Sequence, residues 1–93
     1  MNPQQAAQQI IQLISSQEHE LFSGLFNENL VKSDIAGRPE KRSFYIQSFT
    51  QSVESMDTIL GLIGDNPTAE ELISRAKRVK AQAQKMLDYV RNR

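Results

Sequence analysis

Apolar side chains recur at spacings of three and four residues along three long segments of this chain, a pattern typical of amphipathic helices. The second segment shows the pattern without a gap. Its apolar residues are Ile46, Phe49, Val53, Met56, Leu60 and Ile63. No segment shows the alternation of apolar and polar side chains that is typical of a strand. The sequence therefore predicts an all-α fold built from long amphipathic helices.

The first segment contains two apolar clusters with a polar stretch between them. Its apolar residues are Ala7, Ile10, Ile11 and Ile14, followed by Leu21, Phe22, Leu25 and Phe26. Asn2 and Pro3 are of the types preferred at the N-cap and at the first position of a helix. Either one helix covers about residues 3–32, or two helices meet at Ser15, where Ser15 and Glu18 would form a capping box. We favour one helix, because no glycine or proline interrupts the polar stretch.

The third segment carries the same spacing to the end of the chain. It begins at Thr68, and Glu71, three residues later, completes a capping box. Its apolar residues are Ala69, Leu72, Ala76, Val79, Ala83, Met86 and Val90, and the face is widened by Ile73 and Leu87. This pattern predicts a third helix with one continuous apolar face.

Glycine and proline mark the two connections between these helices. Gly37 and Pro39 indicate a first turn, and the stretch from Gly64 to Pro67 indicates a second. Short turns join antiparallel neighbours, so the three helices are expected to form an up-down-up antiparallel bundle. The predicted ranges are 33–38 and 64–67 for the turns, about 39–63 for the second helix and about 68–92 for the third.

The chain has 93 residues, a length that predicts a single domain over residues 1–93. Long helices in a chain of this size form a thin rod with a narrow core. Helices from a second chain would widen that core in the manner of a coiled coil. We therefore expect a homodimer that forms a larger helical bundle.

Composition and the N-terminal residues bear on the environment of the protein. The chain contains no cysteine, which excludes disulfides and thiolate metal sites and suits a reducing compartment. Residues 1–5 contain neither the basic region nor the apolar run of a signal peptide. The longest apolar run, residues 59–63, is far shorter than the roughly 20 residues that cross a bilayer. We expect a cytoplasmic protein with no membrane partner.

Residues that could support catalysis are few and scattered. The single histidine, His19, lies between Glu18 and Glu20. Adjacent residues on a helix point about 100° apart, so these three side chains cannot converge on one ion. Glu54 and Asp57 share a helix face, but a solvated pair of surface charges explains them. Because the chain also lacks a Gly-x-Ser-x-Gly motif and a glycine-rich phosphate loop, we predict no enzymatic activity and no catalytic, cofactor-binding or metal-binding residues.

Charge is unevenly distributed along a chain whose formal net charge is zero. Acidic residues dominate the first two segments, whereas basic residues dominate the third. The basic residues of the third segment are Arg75, Lys77, Arg78, Lys80, Lys85, Arg91 and Arg93. They fan across the exposed side of a helix and do not line one narrow stripe. We expect them to neutralise acidic helices of the same molecule or of its dimer mate, and binding to nucleic acid is the alternative.

Aromatic residues close the first predicted helix and open the second. They are Phe22 and Phe26 on the first helix, and Phe44, Tyr45 and Phe49 on the second. In an antiparallel pair these rings meet at one end of the bundle. They form either an aromatic plug in the core or a partly exposed groove that binds a partner. Phe44 and Tyr45 are the best candidates for exposure, because Ile46 and Phe49 already fill the core face.

Basic residues of the first connection border these two rings. Arginine and aromatic residues are enriched at binding hot spots, and a basic rim attracts an acidic partner. The predicted partner-binding residues are Arg38, Lys41, Arg42, Phe44 and Tyr45. The expected function is protein–protein interaction without catalysis, as an adaptor, small chaperone, assembly factor or regulator. The alternative is a small helical regulator that binds nucleic acid through its basic C-terminal helix.

Overall fold

The computed structural model describes residues 3–23, 27–64 and 69–92. Within these ranges the chain forms helices and no strands, which confirms the all-α prediction. The helices are α1 (Pro3–Phe22), α2 (Glu28–Gly37), α3 (Lys41–Ile63) and α4 (Glu70–Arg91). The predicted caps Asn2 and Thr68 lie outside the described residues, as does most of the predicted turn 64–67.

The first predicted helix is divided in two, so the prediction of one helix over residues 3–32 is wrong. The alternative break at Ser15 is also wrong, because α1 runs through Ser15 without interruption. The division falls after Phe22. A new helix begins after Asn27, whose side-chain oxygen Oδ1 accepts a hydrogen bond from the Leu30 amide at 2.9 Å. This N-cap satisfies one of the free amides of the first turn, and α2 then extends to Gly37, through most of the predicted turn 33–38.

The directions of the helices follow from the contacts between them. Arg42 at the start of α3 reaches Val90 at the end of α4, so these two helices are antiparallel. α1 runs parallel to α4, because Glu18 pairs with Arg75 and Phe22 lies further along, against Arg78. α2 continues in the same direction, since Glu28 pairs with Lys85. α1 and α2 together therefore form one column, here called the first column, and the three columns run up, down and up.

The bundle is a thin rod with a single hydrophobic core. It measures 46 × 19 × 19 Å, and all four helices contribute to its buried apolar residues. These residues are Ile14, Leu21, Val31, Tyr45, Phe49, Met56, Ile59, Ala76, Val79, Ala83, Met86, Leu87 and Val90. The predicted apolar face of α4 is confirmed, because its central and C-terminal members are fully buried.

The buried face of α3 is rotated from the predicted one. Tyr45, Ser52 and Ile59 are buried, whereas the predicted core residues Val53 and Leu60 are half-buried. The reason is that α3 packs against two neighbours, α4 and the first column, so a wider arc of its surface is covered. Ser52 is tolerated inside because its hydroxyl donates a hydrogen bond to the Gln17 side chain of α1.

Candidate functional site

The five predicted partner-binding residues lie at the junction between α2 and α3, and the structure divides them into two groups. Tyr45 and Arg42 hold helices together. Arg38 and Phe44 are exposed and Lys41 is half-buried, and these three surround the start of α3. We refer to these three residues as the α2–α3 corner.

Tyr45 is a core residue, so its predicted exposure is wrong. Only 8% of it is exposed, and its ring stacks on Phe49 with centroids 6.1 Å apart. Its hydroxyl donates a hydrogen bond to Oδ2 of Asp34 at 2.5 Å. Burial and this hydrogen bond raise the pKa of Tyr45 to about 12. The side chain therefore fastens α2 to α3 and is not available to a partner.

Arg42 is also engaged within the fold. Its guanidinium donates from Nε to the Val90 carbonyl at 3.2 Å and from Nη2 to the Arg91 carbonyl at 2.6 Å. The last carbonyls of a helix lack their usual partners inside that helix, so Arg42 caps the C-terminal end of α4. The expectation that Arg42 forms part of a free basic rim is wrong for this reason.

Asp34 is the acidic centre of the junction. Its Oδ1 accepts hydrogen bonds from Nε of Arg38 at 2.9 Å and from Nη2 at 2.5 Å, while Oδ2 accepts the Tyr45 hydroxyl. The hydrogen bonds from Tyr45 and then Arg38 lower the pKa of Asp34. The Arg38 side chain is 59% exposed despite this ion pair, so its outer edge can still meet another molecule.

Phe44 is the apolar element of the α2–α3 corner. It is 48% exposed, and its ring meets Tyr45 edge-on with centroids 5.5 Å apart. The Lys41 ammonium lies 4.4 Å from the centroid of the Phe44 ring, within the range of a cation–π interaction. The ring is thus held in place by a buried neighbour and has a positive charge over it.

Three of the six basic residues of α4 form ion pairs with acids of the same chain. Arg75 pairs with Glu18 of α1 at 2.6 Å and Lys80 with Asp57 of α3 at 2.5 Å. A third pair, Lys85 with Glu28 of α2 at 3.5 Å, links α4 to the remaining helix. These pairs agree with the expectation that the basic helix neutralises acidic helices of the same molecule. The hydrogen bond from Arg75 also lowers the pKa of Glu18.

An apolar groove between α1 and α3 was not predicted from the sequence. Leu62 is 73% exposed and Leu13 is 50% exposed, and both line a groove of about 360 Å³. The other lining residues are Gln9, Ile10, Ser55, Thr58 and Ile59. None of the seven is charged. On α3 the groove is lined by Ser55, Thr58, Ile59 and Leu62. Because Ser55 and Thr58 are polar, these positions do not form an apolar stripe in the sequence.

Across residues 3–23, 27–64 and 69–92, no group of three or more His, Cys, Asp or Glu side chains is placed to hold a metal ion. In the described part of the chain, none of the helices combines the length and the apolar character needed to cross a membrane.

Comparisons with known proteins give no relative. The chain matches no protein-family model, no curated protein and no solved structure.

Proposed function

We propose that this protein acts by binding another protein, and that the α2–α3 corner binds an acidic segment of that partner. The observation that carries the proposal is the half-exposed Phe44 ring with the Lys41 ammonium 4.4 Å from its centroid. A large ring held by a buried neighbour loses little conformational freedom on binding, and aromatic residues are enriched among binding hot spots.

The Lys41 ammonium over the Phe44 ring favours an acidic partner. Asp34 is already occupied by Arg38 and Tyr45, so its charge is offset within the fold. The same ion pair offsets the charge of Arg38. Lys41 is therefore the cation that remains beside the ring, and exposed Glu40 precedes it in the chain. A segment with an apolar side chain beside a carboxylate could cover the ring and contact Lys41. This role is compatible with an adaptor, a small chaperone, an assembly factor or a regulator.

The experiment compares what wild-type and variant proteins capture from their native cell. Phe44→Ala and Lys41→Glu should lose the same captured protein, because one removes the anchor and the other reverses the charge. Glu40→Lys should retain or increase capture, because it removes the opposing acid. Ile11→Ala changes a similarly exposed apolar residue on α1 (39% exposed) and serves as the matched control.

Thermal unfolding of each variant separates lost binding from lost structure. The proposal requires that the Phe44 and Lys41 variants stay folded at the temperature of the capture. If a folded Phe44→Ala protein captures the same partners as the wild type, the α2–α3 corner is not the binding site.

A further inference from the structure

α3 carries a second regular face beside its core face. Six residues follow one another at spacings of four, three, four, three and four, the spacing of a helix-pairing seam. They are Phe44, Ser48, Gln51, Ser55, Thr58 and Leu62, and we call this face the outer seam. Each lies one residue before a core-facing position, so the outer seam is turned about 100° from the core. None of the six is charged.

Within the part of the chain that the structure describes, no neighbour covers the outer seam. Its two large apolar residues stand at its ends, with Phe44 48% and Leu62 73% exposed. The four residues between them are small or polar, and three of these are exposed while Ser48 is half-buried. Beside the Leu62 end, Leu13 of α1 extends the same uncharged surface. A helix face of this kind can be covered by another helix without burying an unpaired charge.

We propose that a second copy of this chain covers the outer seam, with the two α3 helices antiparallel about a two-fold axis near Val53. The order of the six residues supports this occupant. In that register Phe44 faces Leu62 of the second copy, Ser48 faces its Thr58, and Gln51 faces its Ser55. Apolar residues then meet apolar residues at both ends, and polar side chains meet polar side chains in the middle. Self-complementarity of this kind is what a two-fold interface requires.

The length of the outer seam limits the expected affinity of the dimer. From Phe44 to Leu62 the helix rises about 27 Å, and one helix pair of this length buries less than the roughly 800 Å² per partner of a standard interface. We therefore expect a reversible dimer with a dissociation constant in the micromolar range. Glu54 borders the seam close to the axis and would approach its counterpart, so Glu54→Gln should tighten the dimer by about twofold at low salt.

The first test is sedimentation equilibrium of the full chain across the micromolar range. Leu62→Glu should raise the dissociation constant by at least about tenfold, because the pairing would bury a carboxylate against Phe44. Ile11→Glu is the matched control, because Ile11 points about 160° away from Leu13 around α1 and should leave the constant unchanged. A wild-type protein that remains monomeric throughout this range overturns the proposal.

The second test determines the register by disulfide cross-linking. The chain contains no cysteine of its own, so only the introduced cysteines can react. Ser48→Cys and Thr58→Cys leave both apolar ends intact. Under oxidation the mixture of the two variants should cross-link, because their Cβ atoms lie opposite each other. Each variant alone should not, because position 48 and its counterpart are about 15 Å apart along the helices. Cross-linking of Ser48→Cys alone would indicate a parallel pair and overturn the antiparallel register, and so would failure of the mixture to cross-link.

This inference stands apart from the proposed acidic partner, although both involve Phe44. Leu62 is eighteen residues from Phe44, at the other end of α3. Leu62→Glu should weaken self-association by at least about tenfold and keep or raise partner capture, because Phe44 becomes free. Lys41→Glu should abolish capture and leave self-association intact. The two sets of results therefore distinguish failure of one proposal from failure of the other.

Discussion

The hydroxyl of Tyr45 donates a hydrogen bond to the carboxylate of Asp34 at 2.5 Å, and this contact joins α3 to α2. The same carboxylate accepts two hydrogen bonds from Arg38, which follows the last residue of α2. One acidic side chain thus connects the core ring of α3 with the end of the short helix. The α2–α3 corner rests on this connection, since Phe44 packs on the Tyr45 ring.

The alkaline titration of Tyr45 provides the first prediction. Its pKa is raised from 10.0 to about 12 in the folded protein, so folding holds the phenol proton more tightly. The stabilisation is present below pH 10.0 and is lost as the pH rises through about 12. Tyrosinate absorbance of a Tyr89→Phe protein, in which Tyr45 is the only tyrosine, should give a midpoint near 12 when folded and near 10 in urea. A folded midpoint near 10 would contradict the buried contact with Asp34.

Acid should weaken the fold through Glu18 and Asp34. Both have a lowered pKa in the folded state, from ordinary values of 4.5 and 3.8. Their contribution to stability is therefore present above those values and is lost as the pH falls below them. In urea unfolding at decreasing pH, Glu18→Gln should lower stability at neutral pH and flatten the acid dependence. Glu20→Gln, on the exposed side of α1, should retain the dependence of the wild type.

The N-cap of α2 should contribute measurably to stability. Replacing Asn27 with alanine removes the acceptor of the Leu30 amide and should cost about 1 kcal/mol in the free energy of unfolding. Asn29→Ala, an exposed position in the first turn of the same helix, is the control and should have a smaller effect. Equal losses in the two variants would mean that the cap does not stabilise the division of the first column.

Core substitutions should have the largest effects. Met56 is fully buried, so Met56→Ala should cost about 2–5 kcal/mol in the free energy of unfolding. Val79→Asp places a carboxylate without a partner at a fully buried position and should prevent stable folding. Ala81→Asp makes a similar change at an exposed site on α4. If the Val79 and Ala81 variants melt at the same temperature, the buried face of α4 has been misassigned.

Binding to generic DNA distinguishes the proposed function from its alternative. Arg75, Lys80 and Lys85, three of the six cations of α4, are engaged in ion pairs with acids of the same chain. Each would have to leave its acid before it could displace a counterion from a phosphate. We expect no mobility shift of duplex DNA at physiological salt. A shift that strengthens steeply as salt is lowered would favour the helical nucleic-acid-binding regulator.

The helical segments were predictable because their apolar spacing is regular over many turns. The face of α4 was obtained correctly on this basis. The division of the first segment into α1 and α2 was not predicted, because apolar residues recur at helical spacing on both sides of it. Asn27 is recognisable as an N-cap only from its hydrogen bond with the Leu30 amide. Periodicity also shows which side of a helix is apolar without showing how many neighbours will cover it, and Tyr45 was assigned to the surface for that reason.

The exposed residues of the candidate site were easier to predict than the residues that join helices. The exposure of Phe44 follows from its place beside the core face of its own helix. The role of Arg42 depends on Val90, 48 residues away, and no local pattern reports such a contact. The outer seam was not predicted because its four middle residues are polar. The proposed pairing depends on the two apolar residues at its ends, which lie eighteen residues apart.

The pairing of α3 with α4 has a consequence for the order of folding. These helices are consecutive in the chain and share the most extensive packing in the bundle. Because they are antiparallel, the contacts nearest their connection close short loops, and the others can follow from there. The ion pair that fastens α1 to α4 spans 57 residues, and α2, with ten residues, is shorter than helices that persist alone in water. Contacts that are local in sequence form with less loss of chain entropy. The α3–α4 hairpin is thus expected to form the folding nucleus, with the first column docking on it afterwards.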